Sequence, residues 1–328
     1  MASSLKSVLP VLGGARRSLR AGALAATMTF FKNSTEDLDV KTIRSHSVRL
    51  AKAGLAGLVV MGSNGEAPHL SHEERGTVTR ETRAALDEAG FADLPIIVGA
   101  SDASVRGTLE LCREAAAAGG DYVLVLPPSY FRGAMTDSVI AEFYTGVADS
   151  SPLPVILYNF PAVVAGINMD SDLLISISQH KNVVGTKFTC GDTGKLARVA
   201  RAMNAMTPST HNSGYVCYGG LADFGLMALV AGGSGFIAGG ANIVPKACVR
   251  IVSLFQEGKF REAIEEQKKL SAGDWYHTKA GIAGTKSVLQ SSFDYGGLPR
   301  LPLASYSSAE AQGIANKMSE ALAWESKL

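Results

Sequence analysis

Gly57-Leu-Val-Val-Met61-Gly62-Ser63-Asn64-Gly65-Glu66-Ala-Pro-His69-Leu70-Ser71-His72-Glu73-Glu74 holds one structural unit in compressed form. The apolar run Gly57–Met61, bounded by glycine, reads as a short buried strand. Ser71 followed by Glu74 is a capping box, so a helix starts there and its apolar period carries it to Ala89. The polar loop Gly62–Leu70 between them therefore leaves the carboxyl end of a strand.

Seven further runs repeat this strand pattern: Ala23–Phe31, Pro95–Gly99, Tyr122–Leu126, Pro154–Tyr158, Val183–Phe188, Gly214–Tyr218 and Gly235–Ala238. Helical periodicity fills most gaps, at Thr42–Ala53, Ser104–Ala118, Ser138–Ala148, Asp170–Ser178 and Thr193–Ala205. Strand alternating with helix implies a parallel sheet. Eight such units predict an α/β fold of the (β/α)8 TIM-barrel class rather than a doubly wound sheet of five or six strands. The barrel is expected over residues 21–244. A helical region packed on it follows at 245–328, read as Lys246–Phe255, Arg261–Ser271, Gly281–Ser291 and Ser308–Leu322.

Composition limits the partners. The chain of 328 residues has 31 Lys and Arg against 30 Asp and Glu, which provides no basic field for nucleic acid or an anionic membrane. No apolar run approaches the roughly 20 residues of a membrane helix. Cys112, Cys190, Cys217 and Cys248 are far apart, so neither a disulfide framework nor a zinc site is expected. A cytoplasmic protein follows. Residues 1–20 form a basic arm, however, and no acid precedes Glu36, which is also the composition of a mitochondrial presequence. Taking the five bases of residues 1–35 from the 31 leaves 26 against 30 acids, so the basicity belongs to the arm. Glycine supplies 35 residues, about 11% against a usual 7% or so, which suggests many tight turns and close backbone approaches.

In a barrel, reactive groups gather where strands end. The sixth run places Lys187 among apolar neighbours in Gly185-Thr186-Lys187-Phe188. Burial disfavours an ammonium ion, and a neutral amine can condense with a ketone; a strand-end lysine reaching to solvent is the plainer alternative. The fifth run ends in Tyr158-Asn159, where a phenol could move a proton or simply bond to backbone. In Gly62-Ser63-Asn64-Gly65, two glycines around a hydroxyl and an amide make a turn able to hold a carboxylate. Lys286, in a second Gly-Thr-Lys, falls on a tail helix and is expected to stand outside the chemistry. His69 and His72 lie three apart without a third ligand at a recognisable spacing, so no metal is expected. The Gly219-Gly220 and Gly232–Gly240 stretches lack the spacing of a dinucleotide loop.

Taken together and in this order, these segments resemble the dihydrodipicolinate synthase and N-acetylneuraminate lyase family of class I pyruvate aldolases. The resemblance covers nearly the whole chain and includes Thr27-Met28-Thr29-Phe30, Pro127-Pro128-Ser129-Tyr130 and Gly296-Gly297. It implies a barrel with a C-terminal helical region, usually a homotetramer. It also implies that Lys187 is the Schiff-base lysine, that Tyr158 transfers protons, and that Tyr130 belongs to a proton relay shared with a neighbouring subunit. By the same resemblance Ser63 and Asn64, beside Gly62, hold the pyruvate carboxylate, and Thr189, Gly219 and Ile237 line the pocket. No cofactor is implied beyond the lysine imine, and the partners are a small keto acid and an aldehyde.

The family's synthases carry Pro-Ser-Arg-Thr-Gly after Tyr-Asn, whose arginine binds a second carboxylate. Here Pro161-Ala-Val-Val-Ala-Gly166 has no base, which disfavours the synthase reaction. Lys187-Phe188-Thr189-Cys190 and this insertion look closer to fungal 2-keto-3-deoxy-L-galactonate aldolases; the Gly62–Glu66 loop and Tyr130-Phe-Arg-Gly133 resemble 4-hydroxy-2-oxoglutarate aldolases. A barrel that binds keto acids without turning them over is the non-enzymatic alternative.

Overall fold

The computed structural model describes residues 17–328. Most of the basic arm, 1–16, lies outside the described residues. The chain runs β1 Gly22–Ala26, α1 Val40–Lys52, β2 Leu58–Val60, α2 His72–Glu88, β3 Ile96–Gly99, α3 Val105–Ala117, β4 Tyr122–Val125 and α4 Asp137–Ser150. It continues through β5 Val155–Asn159, α5 Ser171–Ser178, β6 Val183–Phe188, α6 Thr193–Ala202, β7 Val216–Gly219, α7 Gly225–Val230, β8 Gly235–Ala238 and α8 Pro245–Gln256. The tail is α9 Phe260–Phe293, α10 Ser308–Lys317 and α11 Ser319–Glu325. The eight strands close in sequence order, β8 pairing in parallel with β1.

Strands covered on both faces can be apolar throughout, which is why these runs do not alternate. Leu24, Val59, Ile97, Leu124, Ile156, Val216 and Ile237 fill the barrel interior. Their sequence neighbours, such as Leu58, Ile96, Val123 and Leu157, face the surrounding helices. Six loops deliver the chain to a helix on an N-cap side chain, from Asp39, Ser71, Ser104, Thr136, Asp170 and Asp192. Ser71 and Glu74 form the expected capping box.

Two expectations change. The first strand stops at Ala26, not Phe31; Thr27 donates its N–H to the Val59 carbonyl at 2.9 Å, and Met28 then turns to the Asn242 side chain at 3.2 Å. The tail's expected break across 272–280 is helical, and α9 kinks instead at Gly281, whose φ of 63° lies in the left-handed region. Gly273 reads as a breaker but serves close packing, since a Cβ there would stand 2.8 Å from that of Ala321. At the other end of the barrel, Arg17 pairs with Asp121 at 3.2 Å, and buried Leu19 donates its N–H to the Tyr122 hydroxyl at 3.2 Å. The last residues of the basic arm thus seal the barrel floor.

Candidate active site

Lys187 and Tyr158 meet because of a bulge. Val155 of β5 pairs with Val183 of β6, but Ile156 pairs with Gly185, leaving Val184 as the extra residue. Had the first register continued, Thr186 would oppose Tyr158, and Lys187 would point out of the barrel. The slip puts Tyr158 opposite Lys187 on the inward face. Gly185 makes room, since a Cβ there would lie 2.4 Å from the Val216 side chain. The Lys187 Nζ donates to the Tyr158 hydroxyl at 3.3 Å and stands 4.4 Å from the centre of its ring. Both residues are buried, at 2% and 3% exposure. Among the described residues no carboxylate lies within ion-pairing distance of Lys187, and Phe160 stacks on Tyr158 at 5.7 Å.

Above this pair lies a cavity of about 220 Å³, lined by Ser63, Asn64, Thr189, Gly220, Gly239 and His277 with Lys187 and Tyr158. A second of about 520 Å³, lined in part by Gly62 and Arg75, adjoins it through Ser63, Tyr158, Val163 and Ile282. A larger hollow of about 770 Å³, on the flank between α1, α2 and α8, holds none of these residues.

Ser63–Gly65 is a single 3-10 turn, so the N–H groups at its start have no acceptor within the turn. Thr29 donates its hydroxyl to the Gly65 carbonyl at 2.7 Å, and Gly65 passes so close to Thr27 that a Cβ would stand 3.2 Å from its carbonyl oxygen. The turn ends at Glu66, held in the left-handed conformation at φ 54°. Asn159 is buried and fixes the loop after β5 by accepting the Met169 N–H at 3.1 Å and donating to Asn168 at 2.9 Å. That loop brings Phe160 and Val163 to the cavity.

Not every expected lining residue lines the cavity. Gly219 faces outward, where a Cβ would meet Ala228 and Phe224, and its neighbours Gly220 and Leu221 line the cavity instead. Ile237 packs in the barrel interior, one step below Gly239 on the same strand end. Tyr130 is 84% exposed beside Phe131 and lines neither cavity. Thr189 is in place, its hydroxyl oxygen buried without a hydrogen-bond partner. A Cβ on Gly220 would stand 2.0 Å from that oxygen, so glycine is required there.

His69 and His72 diverge, to Glu66 at 3.0 Å and Glu114 at 2.8 Å. Among the described residues no three His, Cys, Asp or Glu side chains converge as metal ligands would. No helix among them is long and apolar enough to cross a membrane.

Lys286 lines neither cavity and has a structural contact instead. Fully buried, it pairs with Glu66 at 2.6 Å and donates to the Leu298 carbonyl at 3.0 Å. Burial pulls its ammonium down, against the pull of the Glu66 carboxylate. Glu66 also accepts the Arg300 N–H at 3.0 Å, so the tail clamps the end of the Ser63 turn. Replacing Lys286 with methionine leaves a buried carboxylate without its counter-ion. It should lower the unfolding free energy by about 3–5 kcal/mol in a denaturant melt; a loss below about 1 kcal/mol would mean the clamp does not hold the loop.

Asp274 and His277, on the α9 stretch expected to be a break, are missed by the sequence reading. His277 lines the cavity, and Asp274 stands 3.5 Å from its Nδ1. Only their spacing of three, one helical turn, could have linked them in advance. Asp274 also accepts the Asp223 N–H at 3.1 Å, and burial together with the Asp274 carboxylate pushes Asp223 up to about 6.

A dihydrodipicolinate synthetase family model matches residues 20–321. An L-threo-3-deoxy-hexylosonate aldolase of Aspergillus niger is 56% identical, over 94% of this chain and 97% of its own length. A protein of Emericella nidulans named as a probable mitochondrial 4-hydroxy-2-oxoglutarate aldolase is 46% identical over 96% of this chain and 99% of its own. The solved structure of a dihydrodipicolinate synthase family protein from Coccidioides immitis superposes with a TM-score of 0.82 at 34% identity, covering 95% of this chain and 99% of that one.

Proposed function

The chain belongs to the dihydrodipicolinate synthetase family, and on that premise we propose that it is a Schiff-base aldolase that cleaves 2-keto-3-deoxy-L-galactonate to pyruvate and glyceraldehyde. One observation carries the chemistry: a buried lysine without a carboxylate partner, 3.3 Å from a buried tyrosine hydroxyl. The Lys187 amine attacks the C2 ketone, and loss of water gives a cationic imine that withdraws electrons from C3. Tyr158 gives its proton to the departing water, the phenolate so formed takes the proton of the C4 hydroxyl, the C3–C4 bond breaks, and the aldehyde leaves. The bond's electron pair remains as an enamine, which Tyr158 protonates at C3; hydrolysis of the resulting imine gives pyruvate and the free amine and returns a proton to Tyr158. The Ser63 hydroxyl and the N–H groups of the Ser63-Asn64 turn hold the carboxylate. No step calls on a metal. Tyr130, exposed and outside the cavity, acts on a second copy's site, which fits a homotetramer.

The site's charge supports the sugar acid. Apart from Lys187, the smaller cavity carries no lysine or arginine that would pair with a second carboxylate. Arg75 in the adjoining cavity donates to the carbonyls of Ala67 and Gly99, at 2.6 and 3.4 Å. The rival substrate, 4-hydroxy-2-oxoglutarate, draws on the Emericella relative. Comparing kcat/KM for the two should favour the sugar acid by about tenfold or more, and the reverse order would overturn this choice.

A further inference from the structure

We propose that His277, backed by Asp274, is the specificity group of this site and binds the hydroxyl-bearing carbons beyond C4 of the substrate. The inference rests on the sugar-acid reading above and extends it to residues that reading leaves unused.

His277 is 5% exposed, and among the described residues neither ring nitrogen has a hydrogen-bond partner. Its Cε1–Nε2 edge lies against Gly239, where a Cβ would stand 2.7 Å from Cε1 and 2.3 Å from the Asn64 amide nitrogen. Gly240 does the same for Asp274, with 2.2 Å left for a Cβ. Two consecutive glycines at the end of β8 therefore form the bed on which the tail's His and Asp lie. Asp274, 2% exposed, has Oδ1 facing His277 Nδ1 and otherwise unpartnered.

A buried polar group left without a partner costs about 1–3 kcal/mol, and native structures seldom keep one idle. Here two share one cavity, Nε2 of His277 and the hydroxyl of Thr189, while Nδ1 of His277 faces Asp274 at 3.5 Å. Their chemistry matches a polyol. Each hydroxyl both donates and accepts, as do a neutral imidazole and a threonine. A carboxylate end would instead face the acids Asp274 and Asp223 behind His277, with no arginine to offset them. Asp274 acts through His277 and is a positioning residue.

The test compares wild type, His277→Ala, His277→Gln and Asp274→Asn on 2-keto-3-deoxy-L-galactonate and on 4-hydroxy-2-oxopentanoate, which lacks the distal hydroxyls. Borohydride trapping with pyruvate reports fold and imine formation in every variant. His277→Ala should lose about 10- to 100-fold in kcat/KM on the sugar acid, the span of one to two buried hydrogen bonds, and no more than about threefold on the truncated acid. His277→Gln, keeping a donor and an acceptor, should recover most of that loss. Asp274→Asn should fall between, mainly through KM. A parallel fall in pyruvate trapping, an equal fall on both acids, or no fall on the sugar acid would overturn the inference. A wild type that prefers the dicarboxylate would overturn the substrate reading and the inference with it; a wild type that prefers the sugar acid beside an unaffected His277→Ala overturns the inference alone.

Discussion

Replacing Lys187 with alanine should abolish aldol cleavage, a loss of about 10⁴-fold or more by analogy with deletion of other covalent nucleophiles. The size follows from the chemistry. Without an imine, the electrons of the breaking C3–C4 bond have only a neutral ketone to enter. Among the described residues no other lysine lines the cavity: Lys286 is fully buried against Glu66, and Lys195 is tied to Asn168 at 2.5 Å. Borohydride added with pyruvate should leave an adduct of about 72 Da, pyruvate less water plus two hydrogens, on the peptide carrying Lys187. The alanine variant should show none while keeping the wild-type melting profile. An adduct on another lysine, or turnover within about a hundredfold of wild type, would sink the Schiff-base assignment.

The barrel was legible because each unit signs itself locally. An apolar run between glycines, then a polar loop, then an N-cap residue can be read within 20 residues, and the structure's strands fall inside or within two residues of those runs. The first run overshot, because Thr27–Phe31 stays buried and extended-looking in sequence after it has left the sheet. The pairing of Lys187 with Tyr158 could not be read the same way. Both residues were identified, but their register depends on a bulge at Val184 that no local pattern announces. The tail was least legible. Ala272-Gly273-Asp274 looks like a helix break, and only long-range packing against Ala321 shows why glycine belongs inside the helix. His277 was hidden with it, since a residue on a distant helix reaches the site only through tertiary structure. The Gly239-Gly240 pair, read in sequence only as lacking the spacing of a dinucleotide loop, acquires its physical reason there as well.

Replacing Tyr158 with phenylalanine removes one oxygen and should cost about 10²- to 10⁴-fold in kcat, the usual range for a positioned proton-transfer group. The ring remains to pack against Phe160 and beneath the Lys187 amine, so stability should change little. What distinguishes this variant from the lysine deletion is where the reaction stalls. The amine is still present and can still condense with the ketone, water giving the proton that Tyr158 otherwise supplies; the missing base is needed when the C4 hydroxyl gives up its proton. The imine of uncleaved substrate should therefore accumulate. Borohydride added to the variant with 2-keto-3-deoxy-L-galactonate should trap an adduct of about 162 Da, the six-carbon acid less water plus two hydrogens, where wild type gives chiefly the pyruvate adduct of about 72 Da. If the variant gave no adduct of either mass, Tyr158 would be needed to form the imine rather than to break the C3–C4 bond. If it gave the pyruvate adduct at the wild-type rate, the proton would have to leave by another group, and His277, on the same cavity, would be the first to test.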